Sequence, residues 1–163
     1  TRSPVENMKR FEDSEDCGWK GAKKTSIKSV VANSRLHAIA AERFREHGWM
    51  EWNFLETGEK TIAAQYGIRI NRILYLLKIG YDEKYSFCTP GNLLFNKVIE
   101  NACREGNLDE INCVADCVWH KNWGMKKRLL FDLIVLPKIP IFSALLSRVL
   151  NSKIVQKLIW GIK

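Results

Sequence analysis

The stretch "TIAAQYGIRINRILYLLKIGYDEKYSFCTPGNLLFNKVIENACREG", residues 61–106, decides the fold. Its first half holds two runs rich in Ile, Leu and Tyr, "TIAAQYGIRI" and "ILYLLKIGYD", joined at Asn71-Arg72. Runs of this kind around a short polar turn predict an antiparallel hairpin. The second half changes period. Leu94, Val98 and Ala102 form one row, and Phe95, Ile99 and Cys103 form its neighbour. Asn92, Asn96, Lys97, Glu100, Asn101 and Arg104 are left on the polar side, which predicts an amphipathic helix. Thr89 can cap it, Pro90 fits its first position, and Gly106 ends it.

The junction "CTPGNLL", Cys88 to Leu94, carries a second meaning. The first N–H groups of a helix have no intrahelical partner, and the helix dipole adds positive potential there. Gly91 has no side chain, so an anion can approach the backbone closely. Thr89, Pro90, Gly91, Asn92 and Leu93 therefore form a candidate phosphate seat. The same residues serve equally as a plain helix start.

Working outward, "EWNFLE" precedes the hairpin and is joined to it by the turn "TGEK". This extends the hairpin to a three-strand meander. Upstream of it, a helix is expected from about Ser29 to His47. It buries Ile39, Ala40 and Phe44, with Leu36 one turn earlier, and Gly48 stands at its end. Residues 1–14 are polar and charged and are expected to be a connector. The chain starts at Thr1 without an initiator Met, so a preceding lobe is expected. Downstream, "EINCVAD" predicts a strand, "CVWHKNWG" a loop, and "KRLLFDLIVL" a last strand. The predicted class is α+β, a mostly antiparallel sheet with helices on both faces.

The 163 residues carry a net charge of +8, unevenly placed. Residues 119–163 hold nine basic residues and one acidic residue, Asp132, whereas residues 1–118 balance. Such asymmetry points to a localised anionic partner. Aromatic and basic residues do not interleave as a nucleic-acid stacking surface requires, so no DNA partner is expected. The five cysteines, an odd number without a secretory signal, suggest reduced thiols and a cytoplasmic location. No uncharged apolar run is long enough to span a bilayer. Cys113, Cys117 and His120 lack a convincing fourth ligand, so no metal site is expected. Walker and Rossmann glycine patterns are absent.

Several segments, in order, resemble the acetyltransferase-like domain of the FemAB-related, cellulose-biosynthesis-type GNAT family. "EDCGWKGAKKTS", residues 15–26, is similar to that family's Glu-x-x-Gly-Trp-Lys-Gly segment. Residues 57–94 resemble its hairpin, Lys-x-Gly-Tyr-Asp and Ser-Pro-Gly-x-x-Leu run. "ADCVWHKNW" resembles its Gly-Asp-x-x-Tyr-Lys-x-x-Trp segment, with Trp119-His120 in place of Tyr-Lys and Ala115 in place of Gly. The resemblance covers about residues 11–130. It implies a GNAT-like domain over 15–136 and places an acyl-CoA pyrophosphate on the backbone of Gly91, Asn92 and Leu93. It also implies acyl transfer to an amine, such as an envelope or polysaccharide precursor, and a second GNAT-like lobe as partner. Two alternatives stay open: an aminoacyl-tRNA donor, or a degenerate lobe used only for binding.

Acyl transfer from a thioester to an amine needs a path for the amine proton and donors for the developing oxyanion. His120 can supply either, and Asp116 can orient it if the loop is helical. Both also suit a solvent-exposed loop. Lys20 beside Trp19 can contact an anionic substrate or simply cover an aromatic face. Tyr81 and Asp82, just past a strand end, can line the cleft. Glu15 is a second candidate carboxylate through its place in the family segment.

Beyond the resemblance, residues 137–163 repeat apolar pairs every four residues, from Ile141-Phe142 to Ile162, opposite Arg148, Lys153 and Lys157. A basic amphipathic helical tail is expected, lying on an anionic membrane surface or docked on another lobe. The first reading places the protein peripherally on the membrane's inner face.

Overall fold

The computed structural model describes residues 3–129 and 131. The elements run α1 (Pro4–Asp16), α2 (Trp19–Ala22), α3 (Val31–Glu46), β1 (Met50–Thr57), β2 (Lys60–Ile70), β3 (Ile73–Tyr81), α4 (Pro90–Glu105) and β4 (Glu110–Asn112). Short 3-10 turns lie at Glu83–Cys88 and Val118–Trp123. The strands form one sheet in the order β1-β2-β3-β4. The chain divides into two compact units after His120, and the first contains every helix and strand named above.

The hairpin forms as the sequence predicts. Ile70 pairs with Ile73 across Asn71 and Arg72, whose φ values of 49° and 63° are both positive. That is the two-residue turn whose twist matches antiparallel strands. Arg72 also works at a distance. Its guanidinium donates to both oxygens of Asp109, at 2.9 and 2.8 Å, and to the Gly106 carbonyl at 2.8 Å. The Asp109 N–H returns a bond to the Arg72 carbonyl at 2.8 Å. The hairpin tip thus fixes where the chain leaving α4 enters the sheet. β4 runs parallel to β3, as a strand-helix-strand crossover requires. It is shorter than the expected "EINCVAD", because Val114 takes a left-handed φ of 60° and breaks the strand.

The polar N-terminal stretch is not a connector. Residues 4–16 form a helix started by a reciprocal capping box: the Glu6 N–H donates to Ser3 Oγ and the Ser3 N–H to the Glu6 carboxylate. Met8, Phe11 and Glu15 form its buried stripe. High charge on the other face disguises that stripe in the sequence.

α1 packs on β2 and β3, and α3 on β1. Phe11, Met8, Ile27, Ala41, Ala64 and Tyr66 form the core of this layer, with Met50, Trp52, Phe54 and Leu77 against it. α3 is rotated from the expected orientation. Leu36 and Ile39 are 63% and 53% exposed, while Ala41 is buried and Ala40 and Phe44 are half-buried. The inward side also carries His37, whose Nδ1 is hydrogen-bonded to the Tyr66 hydroxyl. α4 covers the opposite face through Leu94, Phe95 and Val98.

The expected last strand and the basic tail fall mostly outside the described residues. Lys127–Leu129 and Phe131 belong to no helix or strand. Among the described residues, no helix is long and apolar enough to cross a membrane.

Two outcomes follow from this packing. Phe11 is fully buried and meets Tyr66 edge-on at 4.8 Å between ring centroids, so Phe11→Ala should cost about 3–5 kcal/mol in urea unfolding. A connector residue would cost almost nothing. Burial, helped by nearby Lys78, lowers the His37 pKa below its usual 6.5. The neutral ring is the folded form, so its contribution is complete above pH 6.5 and is lost as pH falls through the folded pKa. The melting temperature should drop on acidification below 6.5, and His37→Gln should flatten that part of the profile.

Candidate active site

β3 is the strand around which the candidate residues gather. β4 pairs only with Ile73, Leu74 and Tyr75. From Leu76 to Tyr81, β3 has a strand partner on its β2 side alone among the described residues. A bulge sits at the start of this open edge. Gly67 pairs with Leu76 and Tyr66 with Lys78, leaving Leu77 without an opposite number. A bulge bends the strand and re-aims its backbone groups, and bulges are enriched beside active sites.

The turn from α1 into α2 is pressed onto the far end of this edge. A Cβ on Gly80 would lie 2.8 Å from the Glu15 Cα, and one on Gly18 would lie 2.8 Å from the Tyr81 carbonyl oxygen. Only glycine permits both approaches. Glu15 is thereby buried to 1% exposure, and both its oxygens are committed. Oε1 accepts Lys20 Nζ at 2.6 Å, and Oε2 accepts the Ile27 N–H at 2.7 Å. Lys20 Nζ also lies 3.4 Å from the Ile79 carbonyl oxygen. Glu15 is therefore a holder of Lys20 and of the loop before α3, not a free base.

On the opposite face of β3 stands the start of α4. Gly91 faces the sheet, where a Cβ would lie 3.4 Å from Tyr81 Cδ1 and 3.8 Å from Ile79 Cδ1. Asn92 and Leu93 are exposed, and Pro90 is buried. Thr89 does not cap with its side chain. It takes a left-handed conformation, φ 46° and ψ 55°, and its carbonyl accepts the Leu93 N–H at 3.1 Å. No side chain occupies the α4 N-terminus as a cap, so its leading N–H groups remain directed outward. Asp82, expected in the cleft, is instead buried beneath the 3-10 turn that leads to Thr89. It accepts the Lys84 N–H at 3.0 Å and pairs with Lys60 Nζ at 2.8 Å. Burial raises its pKa, but the Lys60 ammonium and the Lys84 N–H outweigh that and hold it below the usual value.

His120 lies in the second 3-10 turn, beside Trp119 at 4.2 Å between rings, and Trp119 meets Phe95 of α4 edge-on at 5.4 Å. The segment around Asp116 is not helical, contrary to the condition for its orienting role. The His120 Nδ1 accepts the Cys117 N–H at 3.2 Å, which takes the place an orienting carboxylate would use. A neutral ring that accepts at Nδ1 carries its proton on Nε2. With Nδ1 accepting, His120 has Nε2 as its donor position. Cys113 is no ready thiolate, since burial and then Cys117 push it up to about 11. No cluster of three or more His, Cys, Asp or Glu gathers as a metal site among the described residues.

The structure therefore brings Glu15, Lys20, Tyr81 and Gly91 to one end of β3. Trp19 is attached through Lys20, and His120 through Trp119 and Phe95. Sequence reasoning missed the role of the Ile79 carbonyl, which no motif reports, and of Gly80, which stands inside the Lys-x-Gly-Tyr-Asp run but was given no task there. A cavity of about 260 Å³ lies elsewhere, between the C-terminal half of α4 and Glu51, Asn53 and Arg69. Glu51 and Arg69 neutralise each other across it at 2.5 Å.

The mixed four-stranded sheet with helices on it is of the α+β class, and the sequence assigns it to a family. Residues 7–116 match the family model described as acetyltransferase (GNAT) domain, and the chain belongs to that family. No curated protein and no solved structure matches the chain.

Breaking the Glu15–Lys20 pair tests its structural weight. Lys20→Met strands a buried carboxylate and should lower stability by about 3 kcal/mol. Adding Glu15→Gln should recover most of this, because the stranded charge disappears while an acceptor for Ile27 remains. Chemical denaturation of the three variants checks both statements.

Proposed function

We propose that this chain is the catalytic lobe of an N-acyltransferase that takes its acyl group from a CoA thioester and delivers it to an amine. The single observation that carries this reading is the opening of β3 past Tyr75 beside the uncapped start of α4. An open strand edge offers backbone partners to an extended amide-bearing chain such as pantetheine. A helix N-terminus next to it favours a pyrophosphate. The exposed positions Asn92 and Leu93, with Gly91 behind them, form the seat.

The chemistry then needs three things. The thioester carbonyl needs a donor as it becomes an oxyanion, and the His120 Nε2–H has the right protonation for that role. The amine must arrive neutral, and its proton leaves to water, because the Glu15 carboxylate is engaged twice. Finally, the acceptor must reach the open edge from the α1–α2 side, where Lys20 lies, because the Tyr81 ring is on the Gly91 face.

The test is titration of CoA and acetyl-CoA by calorimetry. Gly91→Glu is a poor control, since a Cβ there already reaches contact distance of Tyr81 and Ile79 and would turn the rest of the side chain toward the sheet. Asn92→Glu is the better one. It places a negative charge in the first turn, which favours the helix but repels a phosphate. Binding that weakens about tenfold in Asn92→Glu, with the melting temperature unchanged or raised, supports the CoA seat. Equal binding by both proteins would refute it, and no CoA binding by folded protein would favour an aminoacyl-tRNA donor or a non-catalytic lobe.

A further inference from the structure

The α1–α2 corner holds more positive charge than its internal contacts require. Lys20 is neutralised by Glu15. Lys23 and Lys24 enter no ion pair among the described residues and are exposed. Lys23 Nζ lies 5.2 Å from the Trp19 ring centroid, and Lys20 Nζ lies 6.0 Å from it. Trp19 itself is 49% exposed, although an indole of that size normally gains from burial.

The corner is not a loose surface loop. The Lys20 carbonyl accepts both the Thr25 N–H at 2.8 Å and the Ser26 N–H at 3.2 Å, and the Lys23 N–H bonds the Trp19 carbonyl at 3.0 Å. Ser26 is fully buried and donates to Asp16 at 2.6 Å. Lys24 is held at φ 55°, a backbone conformation unfavourable for a residue with a side chain. An exposed flat ring, with ammonium groups beside it, is thus fixed in place at the open edge of β3.

We propose that Trp19, Lys20 and Lys23 form the acceptor subsite, and that the acceptor is an amine on a sugar ring that also bears a phosphate. The proposal rests on the acyltransferase reading and names its substrate class. The indole face suits the C–H face of a pyranose ring. Lys23, an ammonium beside the ring that enters no ion pair among the described residues, suits a phosphate on that sugar. Lys20, at the Ile79 carbonyl, marks the side of the ring nearest the strand edge, where the amine must lie. The subsite lies on the Gly80 face of β3, opposite the Gly91 face, so it is separate from the pyrophosphate seat.

The experiment measures thiol release from acetyl-CoA with glucosamine and with glucosamine-6-phosphate, together with calorimetric binding of the two sugars and of CoA. The expected result is a lower KM for the phosphorylated sugar. Its advantage over glucosamine should fall about tenfold in Lys23→Gln, while Trp19→Ala should weaken both sugars. Circular dichroism of each variant confirms the fold. Equal affinity for the two sugars, or no binding of either, overturns the proposal and leaves the CoA reading standing. A loss of CoA affinity in Lys23→Gln that matches the loss for the sugar phosphate also overturns it, by assigning the lysine to the donor. Sugar-phosphate binding without any CoA binding keeps the subsite and removes the CoA reading.

Discussion

The buried carboxylate of Glu15 is the contact on which the arrangement of this domain depends. One side chain at the end of α1 joins α2 through Lys20 and the approach to α3 through the Ile27 N–H. Its backbone rests on β3 at Gly80. Four parts of the chain converge within hydrogen-bond or van der Waals distance of one residue. A charge at 1% exposure is tolerable only with such full pairing, so the corner has few alternative packings. The same pairing removes Glu15 from acid–base chemistry. It also holds Lys20 at the edge of β3.

The second constraint is the limited reach of β4. The Arg72–Asp109 clamp sets the start of β4 against the hairpin tip, and Val114 ends the strand after three residues. β3 is nine residues long, so most of it remains open on that side. Short pairing here is not a weakness of the sheet. It leaves Leu76 to Tyr81 without a strand neighbour on that side among the described residues, from the bulge to the point where the α1–α2 turn is pressed onto Gly80 and Tyr81. The two faces of β3 carry different elements. α4 presents an uncapped N-terminus on one, and the α1–α2 corner presents a fixed tryptophan and ammonium groups on the other.

Much of this was legible in the sequence. Alternating β-rich runs around Asn71-Arg72 and the two-row apolar pattern from Leu94 to Cys103 identified the hairpin and α4 correctly, because both signals are local. The α1 stripe was not legible. Met8 and Phe11 are only two apolar residues among many charges, and their burial depends on Tyr66, far away in the chain. The face of α3 was misjudged for a related reason. Leu36 and Ile39 are the more hydrophobic residues, but the sheet accepts the small Ala41 and the hydrogen-bonding His37 instead.

The candidate site divides along the same line. Residue types and order alone placed Trp19, Lys20, Tyr81 and the Thr-Pro-Gly junction together as members of a GNAT-like pattern, and residues 7–116 match that family. Chemical roles needed the tertiary structure. Whether Glu15 is a base or a tether depends on which groups meet its two oxygens. Whether His120 donates or accepts depends on the Cys117 N–H at its Nδ1. Whether Thr89 caps a helix depends on its φ. A sequence records which groups are present and how often they recur along the chain. Burial, pairing and protonation are set by neighbours distant in sequence, and only the folded chain brings those neighbours together.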